Sequence, residues 1–156
     1  MSYDFNADEL FEIAEQIERN GVKFYQLAAN DVKDASHKEL LNSLAAMEVQ
    51  HIKTFADMRA ELSAMEKETI TFDPDHEAVQ YLRALADTRV FFEKEIDTSS
   101  MKEILKSAIG AEKDSIVFYL GMKELVPSQR GSDKIDLIIK EEKDHIVILG
   151  KALTAL

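Results

Sequence analysis

Leu41-Asn42-Ser43-Leu44-Ala45-Ala46-Met47-Glu48-Val49-Gln50-His51-Ile52-Lys53-Thr54-Phe55-Ala56-Asp57-Met58 is the stretch that decides the fold. Leu41, Leu44, Phe55 and Met58 recur at steps of three and four, so they line one face of a helix, and Leu62 and Met65 continue the line. The same face carries Glu48 and His51 at its centre. An ionised carboxylate turned into a core is costly unless something neutralises it. The seam therefore asks for a counter-charge.

Three more seams share the pattern. From Ala7 to Asn30, with Asn6 and Glu9 at capping-box spacing, the line reads Phe11, Ala14, Glu18, Gly21, Tyr25, Ala28. The helix bearing Glu48 opens near Ser36, with Glu39 three residues on. A third begins at Ser100, paired with Glu103, and reads Met101, Leu105, Ala108, Glu112, Ser115, Tyr119, Met122, Val126. The fourth follows Gly131-Ser132 and reads Ile135, Ile138, Glu142, His145, Leu149, Ala152, Leu156. Alternating steps of three and four are the signature of bundle helices crossing at shallow angles.

The chain also repeats itself at an offset of 94 residues: Glu18 falls on Glu112, Phe24-Tyr25 on Phe118-Tyr119, Glu48 on Glu142 and His51 on His145. Position 47, the counterpart of Glu141, is Met, so Glu142 is the inward acid of its pair. Glu15 answers to Ile109 and drops out of the set. Glu18 and Glu48 flank the polar stretch Asn30 to Asp34 symmetrically, and Glu112 and Glu142 flank Pro127. In two antiparallel hairpins each acid then stands about 15 residues from its turn, roughly 22 Å at about 1.5 Å per residue. Four Glu and two His converge on one layer.

Between the hairpins, about Lys67 to Thr98 form a long connection with Asp73-Pro74 and an amphipathic run, Val79, Leu82, Leu85, Ala86, that predicts a short helix. The expectation is one all-α domain over residues 1–156. It is a ferritin-like four-helix bundle with a long crossover between its second and third long helices.

Composition narrows the function. No Cys occurs, which removes disulfides, thiolate zinc sites and cysteine-ligated iron–sulfur centres. A net charge of -11 argues against nucleic acid or an anionic membrane as partner. The N-terminus lacks the basic and apolar regions of a signal peptide, and no apolar run approaches the length of a spanning helix, so a cytoplasmic protein is expected.

Glu-x-x-His places a carboxylate and an imidazole one turn apart on a single face. Two such pairs with two further Glu make a hard oxygen and borderline nitrogen donor set, suited to iron or manganese, with zinc a possible substitute. Four carboxylates balance two divalent ions, so the loaded layer is neutral. Glu18, Glu48, His51, Glu112, Glu142 and His145 are the candidate metal ligands. His37 and His76 also follow acids by three residues, but they stand at a helix start and beside Pro74, where capping or solvation accounts for them. Tyr25 and Tyr119 serve either as core aromatics or as hydrogen-bond donors to ligand carboxylates across the bundle. The methionines at 47, 58, 65, 101 and 122 read as gap-filling core.

Glu18 with Tyr25, Glu48-x-x-His51, Glu112 with Tyr119, and Glu142-x-x-His145 resemble the rubrerythrin-type branch of the ferritin-like superfamily, over nearly the whole chain. The resemblance implies a di-iron centre bridged by Glu48 and Glu142, with Glu18 and Glu112 terminal and one His on each iron. It implies a non-haem oxidoreductase that reduces hydrogen peroxide or dioxygen in oxidative-stress defence. The alternative is a ferroxidase for iron storage or delivery. Two departures stand out. Ser115 occupies the position where the family usually has a further Glu, and no rubredoxin domain is present. Electrons would come from an external donor such as a rubredoxin-like protein. The long crossover, with its apolar residues Val79, Leu82, Leu85, Phe91 and Phe92, suits a small homodimer rather than a shell.

Overall fold

The computed structural model describes residues 7–62, 77–88, 98–126 and 129–156. Among them run five helices: α1 (Ala7–Asp31), α2 (Ala35–Ala60), α3 (Glu77–Thr88), α4 (Met101–Leu125) and α5 (Gln129–Thr154). The four long ones form two hairpins, α1 with α2 and α4 with α5, and the hairpins pack with α1 beside α4 and α2 beside α5. Helix α3, in the crossover, lies on α4. None of these helices is long and apolar enough to cross a membrane.

Local chemistry sets the ends. Ser100 caps α4 by accepting from the Glu103 amide at 3.2 Å, as its spacing predicts. Helix α2 is capped by Asp34 rather than Ser36, because the Asp34 carboxylate reaches the amides of both Ser36 and His37, at 2.9 and 3.1 Å. Helix α2 stops at Ala60, before Leu62. Helix α5 starts at Gln129, earlier than the Gly131-Ser132 pair suggests. The Gln129 side-chain Nε2 donates to Asp133 Oδ1 at 2.9 Å, and one glycine in a first turn costs only about 1 kcal/mol. Asn6, Met65, Asp73-Pro74, His76, Phe91, Phe92 and Pro127 lie outside the described residues, as do the side chains of Val79 and Ala86.

Among the described residues the predicted seams are the buried lines of their helices, except that Leu62, Met101, Val126 and Ala152 are partly covered and Leu156, past the end of α5, is 60% exposed. A second buried stripe flanks them: Leu10, Ile17 and Phe24 on α1, Ile104 and Phe118 on α4, Ile139 on α5. Burying each large apolar side chain contributes about 1.5–3 kcal/mol, so these flanking residues carry much of the stability. Phe55 stands between Phe11 and Tyr119, with ring centroids 6.4 and 5.2 Å away, and joins the two hairpins. Met58 and Met122 fill core, but Met47 does not: it is 38% exposed, because one residue before the inward Glu48 is about 100° round the helix. At one end of the bundle Arg59 holds Asp8 with two hydrogen bonds, of 2.7 and 2.9 Å, pinning the end of α2 to the start of α1. A Cβ at Gly121 would stand 2.8 Å from Leu82 Cδ2, so a side chain there would have to displace the buried Leu82, which α3 presents to α4.

Candidate metal centre

Glu18, Glu48, His51, Glu112, Glu142 and His145 are all at most 2% exposed and lie at one level of the bundle. They form two overlapping groups of potential donors: Glu18, Glu48, His51 and Glu142, then Glu48, Glu112, Glu142 and His145. His51 Nδ1 lies 3.4 Å from Glu18 Oε2, 3.3 Å from Glu48 Oε2 and 3.1 Å from Glu142 Oε1. His145 Nδ1 lies 3.4 Å from Glu112 Oε1, 3.2 Å from Glu48 Oε1 and 3.2 Å from Glu142 Oε2. Glu48 and Glu142 thus turn one oxygen toward each imidazole. The two rings stack, with centroids 5.3 Å apart.

These atoms are close without being hydrogen-bonded. Both oxygens of Glu48 and of Glu142, Glu112 Oε2, and the Nδ1 atoms of His51 and His145 are buried without a hydrogen-bond partner. A buried unsatisfied polar atom costs about 1–3 kcal/mol, and seven in one layer is far outside the few expected of a whole domain. Donors held about 2.0–2.2 Å from a common ion stand about 3.0–3.5 Å apart, which is the spacing observed. The donor set therefore fits two ions of iron, manganese or zinc type.

The surroundings push protons onto the layer. Burial, then the neighbouring Glu48, raises Glu18 well above the usual carboxylate range. Burial raises Glu112 to about 8, with His145 pulling it down and Glu142 pushing it up. Burial opposes charge on the imidazoles, yet the carboxylates around them win. Glu142, Glu18 and Glu48 drive His51 strongly upward, and Glu112, Glu142 and Glu48 take His145 to about 12.

Around the layer the tyrosines cross between hairpins. Tyr25 on α1 donates to Glu112 Oε1 on α4, and Tyr119 on α4 donates to Glu18 Oε1 on α1. Burial, then the nearby carboxylates, raises both phenols and keeps them protonated as donors. The buried Ser115 Oγ, one turn beyond Glu112, has no hydrogen-bond partner. Glu15 stays out of the layer and faces Arg19 and Arg59, at 3.5 and 3.7 Å. One residue escaped the sequence pattern. Glu141 points mostly to solvent, its side chain 58% exposed, yet its Oε2 lies 2.7 Å from His51 Nε2 on the other hairpin. Periodicity marks it as outward, and only the docking of α5 on α2 brings the two together.

No family model and no curated protein matches the chain. Among solved structures it is similar to a candidate ferritin-like diiron-carboxylate protein from Thermotoga maritima, with a TM-score of 0.70. That match covers 99% of this chain and 98% of the other at 21% sequence identity. A likeness at that identity speaks for architecture: the chain has a ferritin-like fold, with a candidate carboxylate and histidine metal site at its centre.

Proposed function

We propose that the chain is a non-haem di-iron oxidoreductase of rubrerythrin type that reduces hydrogen peroxide or dioxygen. The observation that carries this reading is the placement of Glu48 and Glu142, each with one oxygen toward each imidazole, as bridging ligands would be. Glu18 with His51 and Glu112 with His145 complete two subsites. Two iron ions there would supply a reversible pair of electrons, the number hydrogen peroxide accepts. The chain's own residues do the rest. Tyr119 and Tyr25 fix the orientation of Glu18 and Glu112. Phe55 and Phe118, fully buried, pack against Tyr119, with ring centroids 5.2 and 5.7 Å from it, and help hold it in place. With no Cys in the sequence, reducing equivalents come from a separate donor such as a rubredoxin-like protein. A homodimer in the cytoplasm is the proposed setting.

Ferrous loading under nitrogen followed by peroxide tests the reading. Two irons per chain, both oxidised by one equivalent of peroxide, are expected, on a particle of two chains by light scattering. Saturation at one ion or fewer refutes the two-ion site. Iron uptake far beyond two per chain by a hollow, many-chain particle would instead establish ferroxidase storage.

A further inference from the structure

The two subsites are alike in their donors but not in what stands behind them. His51 turns Nδ1 into the layer and Nε2 onto Glu141 Oε2, at 2.7 Å. His145 also turns Nδ1 inward, but among the described residues no carboxylate lies within ion-pair distance of its Nε2. The position that answers to Glu141 in the first hairpin is Met47. A carboxylate accepting from the remote N–H of an imidazole fixes the tautomer, so that the other nitrogen presents its lone pair. It also holds the ring plane and makes that nitrogen a stronger donor. Among the described residues only His51 has this support.

The geometry points to Glu141 as a positioning residue that makes the metal subsites unequal, so that the ion on Glu18 and His51 binds first and more tightly than the ion on Glu112 and His145. This inference rests on the two-ion reading. Partners of this kind typically change metal affinity about 10–100-fold, and the exposure of Glu141 to water favours the lower end. Because Glu141 is mostly solvated, its replacement leaves the core intact. Its position behind the ring, on a helix of the other hairpin, makes the contact depend on the assembled bundle.

Metal-free wild type, Glu141→Gln and Met47→Glu are titrated with zinc against a chromophoric chelator, while the imidazole signals of His51 and His145 are followed by NMR. Wild type is expected to bind two ions in separated steps, with His51 responding in the first. Glu141→Gln is expected to weaken the first step about tenfold and draw the two together. Met47→Glu, which supplies the missing acid, is expected to tighten the second. The stoichiometry reports on the two-ion reading, and the differences among the three proteins report on Glu141. Two bound ions with both imidazoles responding together, or step constants unchanged in Glu141→Gln, would overturn the inference and leave the two-ion site standing. A stoichiometry below two in the wild type would overturn both.

Discussion

Replacing Glu112 by Gln should stabilise the metal-free protein while weakening the metal-bound one. In the folded chain burial holds the Glu112 carboxyl protonated up to about 8, against 4.5 for an ordinary Glu. Between those values the folded state keeps a proton that the unfolded chain has released, so folding takes up protons and stability falls as pH rises. At pH 7 about 2.5 pH units of that interval have been crossed, at about 1.4 kcal/mol each, which gives a penalty of about 3 kcal/mol. Gln has nearly the same shape, needs no proton, and still accepts from Tyr25 through its carbonyl oxygen. The metal-free variant should therefore gain up to about 3 kcal/mol at pH 7 and nothing below about pH 4.5. For a chain of this size that is a rise in Tm of about 6–12 °C. Its stability should also lose a slope of about 1.4 kcal/mol per pH unit between about pH 5 and 8. Chelator-treated wild type and variant are compared by urea denaturation and calorimetry at pH 4.5, 6 and 7.5. Zinc should then stabilise the variant less than the wild type, since a donor is gone. A variant no more stable than wild type at pH 7.5, or a gain equal at all three values, would refute the argument. The carboxylate would then be ionised in the folded metal-free chain.

Metal loading at pH 7 should release more than one proton per chain, because burial raises Glu18 and Glu112 while the surrounding carboxylates raise His51 and His145; an indicator dye in dilute buffer reads the release. Release of one or none would mean those groups are already deprotonated. Tyr25→Phe and Tyr119→Phe each strip a buried ligand carboxylate of its donor and should cost about 1–3 kcal/mol in urea denaturation; differences inside about 0.5 kcal/mol would show that the crossed hydrogen bonds carry no weight. Gly121→Val drives a branched side chain into Leu82 and should cost about 1–3 kcal/mol, with faster hydrogen exchange confined to Glu77–Thr88; unchanged exchange there would mean α3 is held by other contacts.

Much of the layer was legible in the sequence because it breaks a rule. Ionisable residues in the middle of four apolar seams violate the helical pattern, and the repeat singled out Glu142 from its neighbour Glu141 and dropped Glu15. The buried lines of α1, α2, α4 and α5 followed from spacing alone, as did the cap at Ser100. The flanking stripe of Leu10, Ile17, Ile104 and Ile139 was less visible. A seam of threes and fours marks the centre of a face, and how wide that face is depends on how deeply neighbouring helices sink into it. Met47 departs in the opposite sense: its apolar side chain reads as core, but its angle around α2 turns it to solvent. Glu141 could not be found by periodicity at all. Its partner belongs to another hairpin, and a contact between distant segments leaves no mark in the spacing of either one.

The crossed tyrosines and the two overlapping donor groups give the layer an approximate twofold axis that relates one hairpin to the other. Each donor group takes three residues from one hairpin and one from its mate. Two identical half-length chains paired about a true axis could in principle assemble the same six donors. Strict symmetry, however, would forbid any difference between the halves: an acid behind one imidazole would require an acid behind the other. Joining the hairpins in one polypeptide lifts that constraint. Met47 can face Glu141, and Gly21 can face Ser115, at equivalent places. The crossover is thus more than a tether. It is what permits the two halves of a nearly symmetric centre to behave differently.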